Sequence, residues 1–310
     1  MEKTWVLFLF ILFGLTCAAF RSSESPISVL IIGGGPAGLA TAIEARQAGA
    51  IVKVVEKRSA YERQQQLFLR GHALGLLEKW EVDSPELKKV EIGVKRVGFI
   101  PISALEEALL KRARELGISV IQDEFLELSK QGRSAILSKE GAVSYDILVA
   151  ADGSHSQVRQ ALGIEADLMG QGKAGAALLP PSLGESGSID VSPVIQHADS
   201  FVQKFQLPGV NFIFLQGPIS ATQDDFIKMC KASGWDCQAE QIAADGGLLL
   251  LDADVYLQKA RRFSLNDRGA LLVGDAAGTG SFFRGSGANH ALETAEIAGH
   301  FFKTNDYESF

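Results

Sequence analysis

Apolar residues run unbroken through Val29-Leu-Ile-Ile32, and Gly33-Gly-Gly-Pro36 follows at once, ahead of a stretch that stays largely apolar to Ala48 and stops at Gly49. A short apolar run, glycines, and a helical stretch with proline at its first position predict a strand, a tight turn and a helix. A second apolar strand, Ile51 to Glu56, closes the pattern, so residues 26 to 56 read as a β-α-β unit with parallel strands. Residues 61 to 80 are mixed polar and read as helical. Leu105, Leu109, Leu110, Ala113 and Leu116 recur at helical spacing ahead of Gly117, and Ser103-x-x-Glu106 reads as the capping box that starts this helix. Strands are expected at Ser119 to Gln122, at Ala135 to Ser138 and over the apolar run Tyr145 to Ala151, which ends in Asp152-Gly153.

The pattern changes from about residue 164 to residue 264. Pro180-Pro181, Gly184, Gly187, Pro193 and Pro208 interrupt it, and alternation over Phe201 to Leu207 and Asn211 to Leu215 predicts antiparallel strands. The α/β pattern returns with a strand at Ala270 to Gly274 and a helix from Ala288 to Phe302. The expected organisation is α/β: a Rossmann-like nucleotide-binding domain built from residues 26–163 and 262–310, with 164–261 inserted as a smaller, mainly antiparallel β domain for substrate.

Gly33-x-Gly35-x-x-Gly38 carries the clearest chemistry. The first glycine permits the tight turn, the second lets a backbone approach a pyrophosphate, and the third lets helix and strand pack closely. The helix N-terminus presents unpaired N–H groups and a positive dipole end. Glu56, at the end of the next strand, can accept from a ribose 2′-hydroxyl and disfavours a 2′-phosphate, so FAD or NAD is expected over NADP.

Composition narrows the partners. The chain has 310 residues, 46% hydrophobic and 22% charged, and a net charge of −7. That balance argues against a broad nucleic-acid footprint and for small-molecule or protein partners. Trp5 to Phe20 is almost wholly apolar, with Cys17-Ala18-Ala19 as a small-residue cleavage site, so residues 1–25 read as a signal peptide or membrane anchor and imply export or membrane association. Without that role the chain would be cytoplasmic. Cys230 and Cys237 leave a disulfide and free thiols equally open, and no Cys/His cluster has metal spacing, so no metal is expected. His72, His155, His197, His290 and His300 are scattered and read as structural or surface histidines, and Arg261-Arg262 as a solvated pair.

Three motifs lie in order: Gly33-x-Gly35-x-x-Gly38 with Glu56, then Ala151-Asp-Gly-Ser-His-Ser-Gln-Val-Arg159, then Gly274-Asp-Ala-Ala277 with Gly285-x-Gly287-x-Asn289. This order resembles the FAD-dependent aromatic hydroxylases, the single-component flavoprotein monooxygenases, over about residues 26 to 163 and 262 to 302. Val55-Glu-Lys-Arg-Ser-Ala-Tyr-Glu-Arg63 through Leu69 is also similar to the flavin domain of MICAL-type monooxygenases. The resemblance implies a glutathione-reductase-type nucleotide fold with FAD held by Gly33, Gly35, Pro36, Ala37, Gly38, Glu56, Lys57, Arg63, Asp152, Gly153, Gly274, Asp275, Gly285, Gly287, Ala288 and Asn289. Asp275 is expected on a ribityl hydroxyl, Asp152-Gly153 near the pyrophosphate and the NAD(P)H approach, Arg63 at the flavin face, and the helix start at Asn289 near the flavin pyrimidine edge.

The implied reaction is NAD(P)H reduction of the flavin and formation with O₂ of a C4a-hydroperoxide, which hydroxylates a small aromatic or hydrophobic substrate. No catalytic side chain is assigned. The absence of a second glycine motif fits this family and counts against disulfide reductases. Gly278 stands where the family has histidine, Phe283-Arg284 near its proline, and the chain ends soon after the last helix. These departures keep two other functions open: a dehydrogenase or saturase-like reductase of the same fold, and a catalytically weak flavin-binding interaction module.

Overall fold

The computed structural model describes residues 25–63, 65–92, 94–130, 132–179, 190–207, 210–217, 222–244, 250–280 and 286–304. The apolar leader, Gly285 and Phe283-Arg284 lie outside the described residues. No helix among the described residues is long and apolar enough to cross a membrane.

In chain order the first elements are β1 (Ser28–Ile32), α1 (Pro36–Gln47), β2 (Ile51–Glu56), β3 (Gln66–Arg70), α2 (Gly71–Lys79), β4 (Lys88–Ile92), β5 (Lys95–Pro101), α3 (Ile102–Glu115) and β6 (Ser119–Gln122). Next come β7 (Phe125–Leu128), β8 (Ser134–Leu137), β9 (Gly141–Ser144), β10 (Ile147–Ala150) and α4 (Gln157–Ala161). Then follow β11 (Ala166–Leu179), β12 (Asp190–Val191), β13 (Ile195–His197), β14 (Ser200–Leu207), β15 (Val210–Gly217), α5 (Gln223–Ala232), α6 (Asp236–Ala244) and β16 (Leu250–Ala260). The chain closes with β17 (Ser264–Leu265), β18 (Ala270–Leu272) and α7 (Ser286–Thr304).

The central sheet has the order β17-β18-β10-β1-β2-β6 and is parallel except for the edge strand β17. Because side chains alternate along a strand, β1 feeds two cores. Val29 and Ile31 pack with Leu39 and Ile43 of α1, Leu105 of α3 and Leu292 of α7, whereas Leu30 and Ile32 pack with Phe125, Leu137 and Val158. The result is three layers: helices, parallel sheet, and the antiparallel sheet β7-β8-β9. Burial of β1 on both faces explains the unbroken apolar run Val29 to Ile32.

A second antiparallel sheet, β12-β14-β15-β11-β16, lies in sequence between β10 and β18 and packs its own core, including Val202, Ile213, Phe226 and Cys230, against α5 and α6. These two helices have no counterpart in the sequence reading, although Thr222 and Asp225 form a reciprocal capping box at α5.

Two local expectations are corrected. Residues 61 to 80 are not one helix: β3 joins β5 and β4 in an antiparallel sheet before α2 begins. Ser103-x-x-Glu106 is not a capping box, because α3 starts at Ile102 after Pro101 and has no side-chain cap. Ser103 is buried inside the first turn, and Glu106 is drawn away to two arginines.

Candidate functional site

The site forms where β18, β10, β1, β2 and β6 end. Five strands at ~4.8 Å spacing span ~19 Å, the breadth of an extended two-nucleoside ligand rather than a mononucleotide. A cavity of about 580 Å³ lies along these ends.

Gly33 leaves β1 with φ +108°, and a Cβ there would lie 2.2 Å from the Ala151 carbonyl oxygen. A Cβ on Gly38 would lie 1.8 Å from the Gly33 carbonyl oxygen, so the turn and α1 close only on glycine. Gly35 differs: it is the N-cap residue of α1, and the nearest atoms to a Cβ there are Arg58 Nη2 and Glu106 Oε1, each 3.8 Å away. That space beside the helix N-terminus is the approach a diphosphate requires.

Glu56 ends β2 with its carboxylate turned back to the turn. Oε2 accepts from the Gly34 N–H (2.8 Å) and Oε1 from the Arg58 N–H (2.8 Å), while the Arg58 guanidinium forks onto both oxygens. Burial opposes ionisation of Glu56, but these donors outweigh it and hold the carboxyl below its usual range. Tyr61 packs its ring on Arg58 and donates its hydroxyl to the Gly34 carbonyl at 2.6 Å. Arg58 and Arg63 both donate to Oε1 of the fully buried Glu106. Arg63 and Lys57 line the cavity.

Beyond β10, Gly153 takes φ +86°. Ser156 caps α4 by accepting from the Arg159 N–H (2.9 Å), and Asp152 braces the same end, accepting from the Ser156 hydroxyl and from the N–H groups of Gln157 (2.7 Å) and Val158 (3.2 Å). Arg159 donates to the Ala276 carbonyl at 3.0 Å and to the Ser154 carbonyl at 3.1 Å, joining the second motif to the third.

Gly274 (φ +56°) lets the chain pass Ala37, which a Cβ would meet at 2.6 Å, and aims Asp275 into the cavity. Asp275 stands open to the cavity, and the protein surrounding that cavity raises its carboxyl above the usual range against the opposing charges of His290 and Arg63. Gly287 and Ala288, in the first turn of α7, face the same cavity.

Twelve of the expected residues therefore share one cavity wall: Gly33, Gly35, Pro36, Ala37, Glu56, Lys57, Arg63, Asp152, Gly153, Asp275, Gly287 and Ala288. Gly38 and Gly274 are buried behind it and shape the backbone. Asn289 is placed differently from the expectation. It lies in the first turn of α7 but does not line the cavity: its amide bridges β3, accepting from the Arg70 N–H (2.8 Å) and donating to the Phe68 carbonyl (2.7 Å). Sequence reasoning assigns no site role to Arg58, Tyr61, Glu106 or Arg159. Arg58, Tyr61 and Arg159 stand within the motifs read above, whereas Glu106 reads as a helix cap because its arginine partners are distant in the chain.

These features fit FAD: a break in side-chain density beside Gly35 for the diphosphate, a carboxylate at each end of the cavity for sugar hydroxyls, and two helix N-termini for negative charge.

Residues 27–174 match the family model of the pyridine nucleotide-disulphide oxidoreductases. The chain is 33% identical over 149 residues to the F-actin monooxygenase Mical of Drosophila melanogaster, a match covering 42% of this chain and 3% of that protein. It is also 33% identical over 147 residues to mouse MICAL2, covering 40% of this chain and 7% of that protein. The chain thus spans only a small fraction of these relatives.

Among solved structures, 2-methyl-3-hydroxypyridine-5-carboxylic acid oxygenase aligns with TM-score 0.69 and 19% identity over 92% of this chain and 84% of that one. Tetracycline destructase Tet(55) aligns with TM-score 0.65 and 18% identity over 92% and 83%. Fold and site define a Rossmann-type, FAD-binding flavoprotein. Over part of its length the chain is similar in sequence to the pyridine nucleotide-disulphide oxidoreductases and to the F-actin monooxygenases, and it shares its fold with 2-methyl-3-hydroxypyridine-5-carboxylic acid oxygenase.

Proposed function

We propose that the protein is an FAD-dependent monooxygenase that takes electrons from NAD(P)H and hydroxylates a small aromatic or hydrophobic substrate. NAD(P)H, a proton, O₂ and a substrate C–H become NAD(P)⁺, water and a substrate C–OH. The observation that carries this reading is the convergence of three sequence-distant motifs on one cavity across the strand ends. Bound there, FAD supplies hydride acceptance and O₂ activation.

The chain's own residues do the rest. The N-terminus of α1 at Gly35-Pro36 holds the diphosphate, Glu56 the adenosine ribose and Asp275 a ribityl hydroxyl. The N-terminal turn of α7 at Gly287-Ala288 would favour negative charge on the bound cofactor. The sheet β12-β14-β15-β11-β16 would hold substrate and keep water out.

Disulfide chemistry, named in the matched family's description, finds no support in Cys230, the cysteine whose side chain is described. Cys230 lies in the core of the smaller sheet, its thiol pushed up to about 12 by burial, and it does not line the cavity. A second reading, hydride transfer without oxygen insertion, is favoured by Gly278 at the family's histidine position, where its backbone instead bridges to Lys259.

Purified protein carrying one FAD per chain, with substrate-stimulated NAD(P)H oxidation that consumes O₂ and yields hydroxylated product, is the expected result. Undiminished anaerobic turnover with another acceptor and no oxygenated product would sink the oxygenase reading. Residues 1–25 we read as a signal peptide or anchor, with fractionation and N-terminal sequencing of the expressed chain as the check.

A further inference from the structure

Glu56, which the FAD reading assigns to the ribose, is already filled. A carboxylate has about four acceptor directions. Here the Arg58 N–H (2.8 Å) and Nε (3.1 Å) take Oε1, and the Gly34 N–H (2.8 Å) and Arg58 Nη2 (3.1 Å) take Oε2. The two main-chain donors are fixed by the backbone around the turn. Only the guanidinium can leave, so a ribose hydroxyl that binds Glu56 must displace Arg58.

The structure holds a second place for it. Arg58 Nη2 already reaches Glu106 Oε1 at 3.2 Å, and the Arg58 side chain remains 32% exposed, with room to move. Glu106 is completely buried, and its other oxygen, Oε2, has no hydrogen-bond partner among the described residues. An acceptor buried without a donor is unfavourable unless something arrives to satisfy it. Both groups border the space beside Gly35, so the exchange takes place at the diphosphate end of α1.

We propose that Arg58 is a two-position side chain: in one position it closes Glu56, and it transfers to Glu106 through Oε2 when the FAD ribose takes the Glu56 oxygens. Glu106 is then the positioning residue of the adenosine subsite. The transfer keeps both carboxylates paired, which lets a buried anion sit beside a diphosphate. It rests on the FAD reading above.

The test is a double-mutant cycle on the full chain, with FAD affinity read from quenching of flavin fluorescence and folding checked by a cooperative thermal melt. Glu106→Gln removes the charge that receives Arg58 and should weaken FAD about tenfold, equivalent to ~1.4 kcal/mol. In an Arg58→Met background the same exchange should change affinity less than about twofold, because nothing is left to receive. Equal weakening in both backgrounds, or none in either, overturns the proposal.

A wild-type readout covers the case in which Glu106→Gln fails to fold. The Nε–H resonance of Arg58, assigned by its loss in Arg58→Lys, should shift on saturation with FAD, and an unmoved resonance overturns the transfer. If the wild-type chain quenches no FAD fluorescence, the FAD reading falls and this inference with it. FAD binding with an unmoved resonance or equal losses removes the inference alone.

Discussion

At the scale of single residues, the site is built from close approaches and paired charges, and each makes a sharp expectation. Gly38→Ala forces a Cβ to within 1.8 Å of a main-chain oxygen, where no side chain can yield, so the turn must open. We expect a loss of about 3 kcal/mol or more in urea unfolding and no measurable FAD uptake. Arg159→Met leaves the Ala276 and Ser154 carbonyls without their charged donor and uncouples two motifs that contact the same cavity. A stability loss of about 3 kcal/mol by the same titration is expected. Asp275 predicts a pH effect of definite sign. Its carboxyl is raised in the folded state above the 3.8 of the free group, so the folded protein keeps a proton the unfolded chain has released. Stability therefore falls as pH rises through the window between those two values, and the deficit is complete above the folded value. Asp275→Asn should melt higher than wild type near neutral pH, with the advantage gone below the ordinary carboxylate range, while binding FAD less tightly. An unchanged difference in melting temperature across that range would contradict the assignment.

At the scale of elements, the position of α7 is decided by its contacts, and its own sequence does not reveal it. Its apolar face meets α1 through Leu292 and Ala295, but the register against β3 is set by the Asn289 amide, which replaces a strand neighbour at Phe68 and Arg70. Asn289→Ala should cost about 2 kcal/mol and speed hydrogen exchange of the Arg70 amide. Because Gly287 and Ala288 lie on the same turn, FAD affinity should fall with it, although Asn289 does not line the cavity. The first strand, turn and helix were legible in the sequence because their signals are local: an apolar run buried on both faces, glycines at fixed offsets, proline at the first helical position. The segment after Glu56 was not. Its polar composition resembles a helix surface, and only the pairing of β3 with β5, contributed by residues some way along the chain, makes it a strand.

At the scale of the whole molecule, one cofactor would join pieces of chain from both ends of the described sequence, with Gly33 to Glu56 on one side of the cavity and Asp275 to Ala288 on the other. Removing FAD should therefore lower the melting temperature in a concentration-dependent way, by the equivalent of ~2.7 kcal/mol when the holoprotein is measured at about a hundredfold excess over Kd. A melt indifferent to added FAD would count against the site. The sequence by itself determined the α/β class, the glycine turn, the carboxylate at the end of β2 and the order of the three motifs, since each is written in neighbouring residues. Only the tertiary structure decided that Glu106 is no cap but the buried partner of Arg58 and Arg63, that Asn289 is a clamp, and that Arg159 ties two motifs together. Those roles depend on which strand ends lie side by side, and a charge separated from its partner along the chain carries no mark of the partner until the sheet brings them within hydrogen-bond reach.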